Sequence, residues 1–460
     1  GDVYKRQAQV LARYRFRGRG ALRALVIVPF VLPTVVVAAA VGTAFERIGL
    51  GFERSVPAVL AAHVFFNLAV VVRVVGGYWA GLDRRQVEAA MILGSSPLRA
   101  WWSITMRQLL PVLSGSFLLV FLFSFTSFGV IRVLGGLRRA TIETEIHRYA
   151  IARQEFDVAA VLAALQILVV VVLALATARF QRRYAAPNRR PAQRLPVTGP
   201  LRRLHLGLVI VAVLTVIGLP VAVLVEQSLR VGTGYGLDNY QALFERVDLL
   251  PLSAADALVN SLVFAAAAAV AAAQVGVAAA VTITGGGRVG RLQEAVALVP
   301  LGVSAITLGF GYLVGLTPFD LRRSVALIPL AHAVIGLPFV LAALVPALRA
   351  VDPRAREAAA TLGASPLVVR RTVDWPQTRR ALATGAGFAA AVSIGEFGAT
   401  SFLGRGQESF TAPLAIFRLL STPGPILRGQ ALALSVVVGL VVALVAAAIE
   451  WRRDTGVSVL

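Results

Sequence analysis

Two glutamates head the same short pattern: Glu88-Ala89-Ala90-Met91-Ile92-Leu93-Gly94-Ser95-Ser96-Pro97, and 269 residues later Glu357-Ala358-Ala359-Ala360-Thr361-Leu362-Gly363-Ala364-Ser365-Pro366. A carboxylate, two small residues and a glycine six positions on suit recognition rather than catalysis, because they make a helix-compatible run that stops at a residue free to bend. The other ionisable groups are scattered. His63, His147, His205 and His332 do not cluster, and cysteine is absent, so disulfides are excluded and a protein-built zinc site lacks its ligands. An enzyme would need a converging nucleophile, base or metal set, and only isolated His and Glu are on offer.

The register between the two copies extends beyond the motif. At the same offset Ala62-His63 recurs as Ala331-His332, Asp83 as Asp352, Arg85 as Arg354, and Phe128-Gly129 as Phe397-Gly398. A constant spacing without a gap reads as an internal duplication. The expected organisation is a first half over 1–178, a basic linker over 179–204 rich in arginine and proline, and a second half over 205–460.

The elements that carry these residues follow from composition. The 460 residues are 57% hydrophobic with a mean hydropathy of +0.77, the profile of an integral membrane protein. A helix needs about 20 apolar residues to cross the bilayer core. Ten runs qualify, at 24–44, 56–79, 112–133, 158–179, 205–225, 257–283, 293–316, 323–347, 382–403 and 429–450. The fold class is therefore all-α and polytopic, with two tandem homologous bundles. Several runs are rich in Ala, Gly and Ser, which suits closely packed helices. The net charge of +22 comes from arginines in short loops between runs, which fits positive-inside topology and not nucleic-acid binding. The bias places both repeated motifs and both chain ends in the cytoplasm. The longest outer loop, 226–255, is polar enough to face a partner outside.

Lys5 is the sole lysine and lies within Gly1–Gln7. These first residues read as foreign to the chain, with true N-terminal sequence missing. Four runs precede the linker and six follow it, so two missing spans would complete the first half.

Each repeated segment, 83–111 and 352–381, is too polar to span the membrane. The spacing predicts a short helix, a turn at Gly94 or Gly363, and a second helix with an apolar face (Leu98, Trp101, Trp102; Leu367, Val368). An amphipathic hairpin lying on the membrane is the bland reading. Two copies at identical spacing fit better with two equivalent contacts on a two-fold partner.

Glu88-Ala89-Ala90-x3-Gly94 and Glu357-Ala358-Ala359-x3-Gly363 resemble the signature loop of permease subunits in binding-protein-dependent ABC importers. The resemblance implies that each loop docks on an ATP-binding cassette subunit and transmits its movement. It further implies two such subunits inside, a solute-binding protein outside, and a bacterial inner membrane location. Downstream, that family continues to a hydrophobic-Leu-Pro element. The second copy offers Val373-Asp374-Trp375-Pro376, whereas the first has Ile104-Thr105-Met106-Arg107 with proline delayed to Pro111. Ser127-Phe128-Gly129 with Leu134-Gly135-Gly136, Thr141–Ile146, and the stretch Ser393–Thr400 are similar to fused permeases for thiamine and for ferric iron. That likeness implies a small solute of one of those classes, moved by alternating access.

Two charges fall inside apolar runs: Glu396, whose repeat-mate is Ser127, and Arg132, whose repeat-mate is Ser401. Such groups are costly unless they meet a partner or a wet cavity. Ser127, Arg132, Glu396 and Ser401 are the candidate pathway residues. An Arg132–Glu396 pair, a structural hydrogen-bond network, and snorkelling of Arg132 are the alternatives. His63 and His332, at matching positions, read as packing residues.

Gly285-Gly286-Gly287-Arg288-Val289-Gly290 matches a dinucleotide fingerprint in form only, because no strand or βαβ unit surrounds it. It reads as a turn. No phosphate-loop lysine exists after Lys5, so ATP must be hydrolysed by another subunit, and no cofactor is expected. An ion-coupled secondary transporter is the rival reading. It calls for intramembrane carboxylates in both halves and for no duplicated docking loop.

Overall fold

A computed structural model describes residues 32–49, 55–83, 85–136, 139–184, 199–298, 303–316, 324–404 and 406–454, with short pieces between 14 and 29 and at 195–196. Gly1–Gln7 and most of the expected linker lie outside the described residues. The architecture is all-α; the strands are two-residue pairs such as Arg230–Val231 with Gly234–Tyr235.

The main helices are α1 (Thr34–Arg47), α2 (Val56–Ala80), α3 (Arg85–Ile92), α4 (Pro97–Phe125), α5 (Phe156–Tyr184), α6 (Leu206–Ser228), α7 (Ala254–Thr284), α8 (Gly287–Leu298), α9 (Ala305–Gly315), α10 (Leu327–Arg349), α11 (Pro353–Thr361), α12 (366–394) and α13 (Pro425–Asp454). The duplication is visible in these boundaries. Shifted by the sequence offset, α1 through α5 fall on α9 through α13 with every end agreeing within two residues. Even a wide π-type turn recurs, at Trp101–Met106 in α4 and at Arg370–Asp374 in α12.

Seven helices of the described residues are long and apolar enough to cross a membrane: α2, α4, α6, α7, α10, and the apolar parts of α5 and α13. The three other expected runs have a different build. Within 24–44 the continuous described helix is α1, which starts at Thr34 after a bend at Leu32. The run 293–316 divides into α8 and α9, and Ser304 caps α9 by accepting the Thr307 N–H at 3.0 Å. The run 382–403 breaks after Ile394, where Glu396 interrupts the helix.

The chain forms two compact units. These units do not follow the two sequence halves, since 31–39 and 143–160 pack with 225–460. In the first unit α2 and α4 pack through Val75, Trp79 and Leu109, and Asn67 Nδ2 donates to Ser124 Oγ at 3.2 Å. The second unit is built on α7, α10 and α12, whose contacts use small residues: Ala268, Ala272, Ala333, Val340 and Ala389 form one buried cluster. A Cβ on Gly385 would lie 2.6 Å from the Val340 Cα. Only glycine lets these backbones come so close, the packing that lipid-embedded helices rely on. Into this unit the first sequence half contributes His147, edge-on to Phe402, and Phe156, stacked on Phe310.

Candidate functional site

Each repeated segment folds as a helix, a glycine turn and a second helix. Asp83 and Asp352 open the first helix alike, their Oδ1 atoms accepting the backbone N–H of Arg85 at 3.0 Å and of Arg354 at 2.9 Å. These are side-chain caps for otherwise orphaned donors. Gly94 (φ +87°) and Gly363 (φ +83°) end it in the left-handed region. The chain then turns back, with Ser95 N–H bonding Ala90 O at 3.0 Å and Ala364 N–H bonding Ala359 O at 3.1 Å. This is a Schellman closure, which requires glycine at that position at little cost. Pro97 and Pro366 then start the second helix.

Neither α3 nor α11 contains a buried residue. In both, the second alanine of the motif, Ala90 or Ala359, is half-buried, while Glu88, Ala89, Glu357 and Ala358 are exposed. The carboxylates of the two glutamates have no hydrogen-bond partner among the described residues. Beside them stand apolar side chains with little cover: Ile92 is 85% exposed, Leu93 86%, and Leu362, the repeat-mate of Leu93, 88%. Leu98 and Leu367 extend both patches. Contiguous exposed apolar surface beside a carboxylate is the chemistry of a protein docking site.

The loops are anchored differently. Gln108 Nε2 donates to Gln86 Oε1 at 2.5 Å, tying α3 to α4. In the second copy Arg356 Nε donates to Asp374 Oδ1 at 2.7 Å, and its Nη2 donates to Leu348 O at 3.0 Å. Asp374 lies in the stretch Val373-Asp374-Trp375-Pro376, which the second copy offers for the hydrophobic-Leu-Pro element.

The four candidate pathway residues fall into the two units. Ser127, buried, and Arg132, half-buried in the wide turn Ile131–Gly135, belong to the first. Glu396 and Ser401 belong to the second, where Ser401 Oγ donates to Gly398 O at 2.6 Å. Glu396 is buried, and its carboxylate is fully engaged. Oε1 accepts the Ala399 N–H at 2.8 Å; Oε2 accepts the Thr400 N–H at 3.0 Å and the Thr400 hydroxyl at 2.7 Å. His332 Nε2 lies 3.0 Å from Oε2 and 2.9 Å from Thr400 Oγ1, and its Nδ1 lies 2.7 Å from Ser393 Oγ. This geometry favours the hydrogen-bond network among the alternatives for Glu396. Reading the sequence missed the role of His332. The signal was present: Ser393, Glu396 and Thr400 recur every three or four residues, which lines one helical face, in the half that holds a lone His in a span.

Comparison with known sequences identifies the architecture. The family described as "Binding-protein-dependent transport system inner membrane component" matches residues 8–186. The "Molybdenum transport system permease protein ModB" of Mycobacterium tuberculosis (strain ATCC 25618 / H37Rv) is 38% identical over 184 residues, 36% of this chain and 67% of that relative. The chain belongs to this family. It is thus a permease of a binding-protein-dependent ABC importer with two fused halves, a multi-pass protein of the bacterial inner membrane. Membership implies a substrate-binding protein and ATPase partners for this transport component. The "Thiamine transport system permease protein ThiP" of Brucella abortus (strain 2308) is similar over a longer stretch, 27% identical across 430 residues, 85% of this chain and 74% of that relative. The "Putrescine transport system permease protein PotI" of Escherichia coli (strain K12) is 31% identical over 140 residues, 29% of this chain and 50% of the relative.

Proposed function

We propose that the permease carries a thiamine-type small solute, handed over by an extracytoplasmic binding protein, and that one ATP-binding cassette subunit docks on each Glu-Ala-Ala loop. The observation that carries the docking reading is the pair of loops with the same turn, each presenting a glutamate and an almost fully exposed leucine, Leu93 or Leu362. ATP hydrolysis then belongs to those subunits, and their closure would draw the loops together and reorganise the spans by alternating access. The halves 1–178 and 205–460 supply one loop each, and 179–204 joins them.

Thiamine is favoured over ferric iron, molybdate and putrescine because the thiamine permease matches across both halves, whereas the molybdenum and putrescine relatives match about a third of the chain. The ordered loop between α6 and α7 supports a docking surface for the binding protein. Asn239 Nδ2 donates to Ser228 O and Arg230 O, both at 2.9 Å, and this loop presents Tyr235, Leu237 and Phe244 outward. Ser127, Arg132 and Ser401 remain the residues proposed to line the pathway, with Glu396 holding the backbone beside it.

The test is co-expression with ATP-binding cassette subunits and measurement of co-purification for the parent chain and for Glu88→Arg with Glu357→Arg. Loss of association in an inserted double variant is the expected result, and undiminished association overturns the reading. Uptake of labelled thiamine, challenged in turn with molybdate, putrescine and ferric iron, assigns the solute. Competition by one of the three others and not by thiamine would replace it.

A further inference from the structure

We propose that Arg356 is a positioning residue that makes the second loop a stiff lever, locking α11 to the span before it, α10, and to the helix after it, α12. The proposal rests on the docking reading of that loop. Helix α11 has nine residues, none buried, and is bracketed by bends at Asp352 and at Gly363. Held only by its ends, so short a helix would pivot under load instead of moving its spans. Arg356 closes the triangle. Its Nε reaches Asp374 at the end of the wide turn in α12, and its Nη2 reaches the Leu348 carbonyl in the last turn of α10. Both anchors are firm. Leu348 belongs to the buried cluster with Ala280, Ile283, Leu341, Leu344 and Val345, and the Asp374 carbonyl accepts the hydroxyl of buried Thr378 at 2.8 Å.

A planar guanidinium can serve a carboxylate and a carbonyl at once in fixed directions, which an ammonium on a flexible stem does poorly. The repeat-mates in the first loop are Val87 and Thr105, which cannot form this bridge. There Gln86 and Gln108 tie α3 to α4, and no side-chain bond from α3 to α2 is found among the described residues. The two loops, alike as docking surfaces, therefore differ as transmitters, and the second is the stiffer.

The absence of cysteine makes the test clean. Spin labels are placed through Ala360→Cys on the flank of α11 and Ala326→Cys at the far end of α10, both exposed positions. The distance between them is measured in the chain purified with its ATPase subunits, with and without ATP and vanadate. A stiff lever gives one narrow distribution that nucleotide leaves in place. Arg356→Ala is expected to add a second, nucleotide-sensitive population, and Asp374→Ala likewise, while ATPase association persists. Arg356→Lys, which keeps the charge and the fold, is expected to broaden the distribution too. Arg356→Asp with Asp374→Arg can rebuild the ion pair with α12 but not the tie to α10, because a carboxylate cannot donate to the Leu348 carbonyl, so the distribution should stay broad. A narrow distribution in Arg356→Ala, in Arg356→Lys or in the charge exchange, or a broad one in the parent, overturns the proposal. A chain that binds no ATPase subunit sinks the docking reading, and the width without nucleotide still judges the lever.

Discussion

Replacing Glu396 with alanine removes a buried carboxylate that serves four groups: it leaves the Ala399 and Thr400 amides without an acceptor, and leaves the Thr400 hydroxyl and the His332 ring with each other and Ser393 alone. A buried donor without an acceptor costs about 1–3 kcal/mol. These costs overlap, because the cavity relaxes and Thr400 and His332 keep their mutual contact at 2.9 Å. Breaking a buried charge-bearing pair by deleting one member costs about 3–5 kcal/mol, and the expected loss falls in that range. Tryptophan fluorescence is a suitable probe, as thiol dyes find no target in this chain. The solubilised Glu396→Ala variant should melt roughly 5 °C or more below the parent. Glu396→Gln, whose single amide oxygen can replace only one of the two carboxylate oxygens that hold the amides, should fall between them. His332→Ala alone leaves the carboxylate three donors, so it should cost less than Glu396→Ala. It should cost still less in the Glu396→Ala background, with a coupling of about 1–3 kcal/mol. Parental melting of Glu396→Ala, or strict additivity in the cycle, would refute the network as the group that holds this break in the helix.

Other outcomes follow from close packing and backbone geometry. Gly385→Leu should destabilise by at least about 1–3 kcal/mol, because its Cβ would meet the Val340 backbone at 2.6 Å and the Phe339 carbonyl at 3.1 Å; Gly311→Ala, with nothing within 4 Å, should leave the melting temperature equal or raised. Gly94→Ala and Gly363→Ala enter open space but must hold a positive φ, so each should cost about 1 kcal/mol, with asparagine better tolerated; a larger loss would mean that the loops are packed. Asn239→Ala should free the loop between α6 and α7, read as faster proteolytic nicking there with the spans intact.

Much of the fold is legible in the sequence because its signals are local. A helix crossing lipid must be long and apolar, so α2, α6, α7 and α10 stand out in hydropathy alone, and a constant offset exposes the duplication down to single helix ends. The loop turn is equally legible, since only glycine adopts the φ found at 94 and 363 so cheaply. Where hydropathy misleads, a polar group or a cap interrupts an apolar stretch. Residues 382–403 read as one span because Gly395 and Ala399 are small and apolar, and no window average registers that Glu396 takes over the amides of residues 399 and 400. The cap at Ser304 is likewise averaged away inside 293–316. Tertiary pairings are the harder case. His332 meets Glu396 across 64 residues of chain, and Arg356 meets Asp374 across the turn between consecutive helices, and periodicity on one helix cannot name its partner on another.

The docking of ATPase subunits on the two loops is tested most directly by site-specific cross-linking in native membranes. Leu93→Cys and Leu362→Cys each add the sole thiol at a nearly fully exposed repeat position. Both are expected to cross-link to an ATP-binding cassette subunit, with yields that change on addition of ATP, while a cysteine at Tyr235 in the loop between α6 and α7 gives none. Cross-links from Tyr235→Cys, or none from Leu93→Cys and Leu362→Cys in a complex that still hydrolyses ATP and transports, would contradict the assignment.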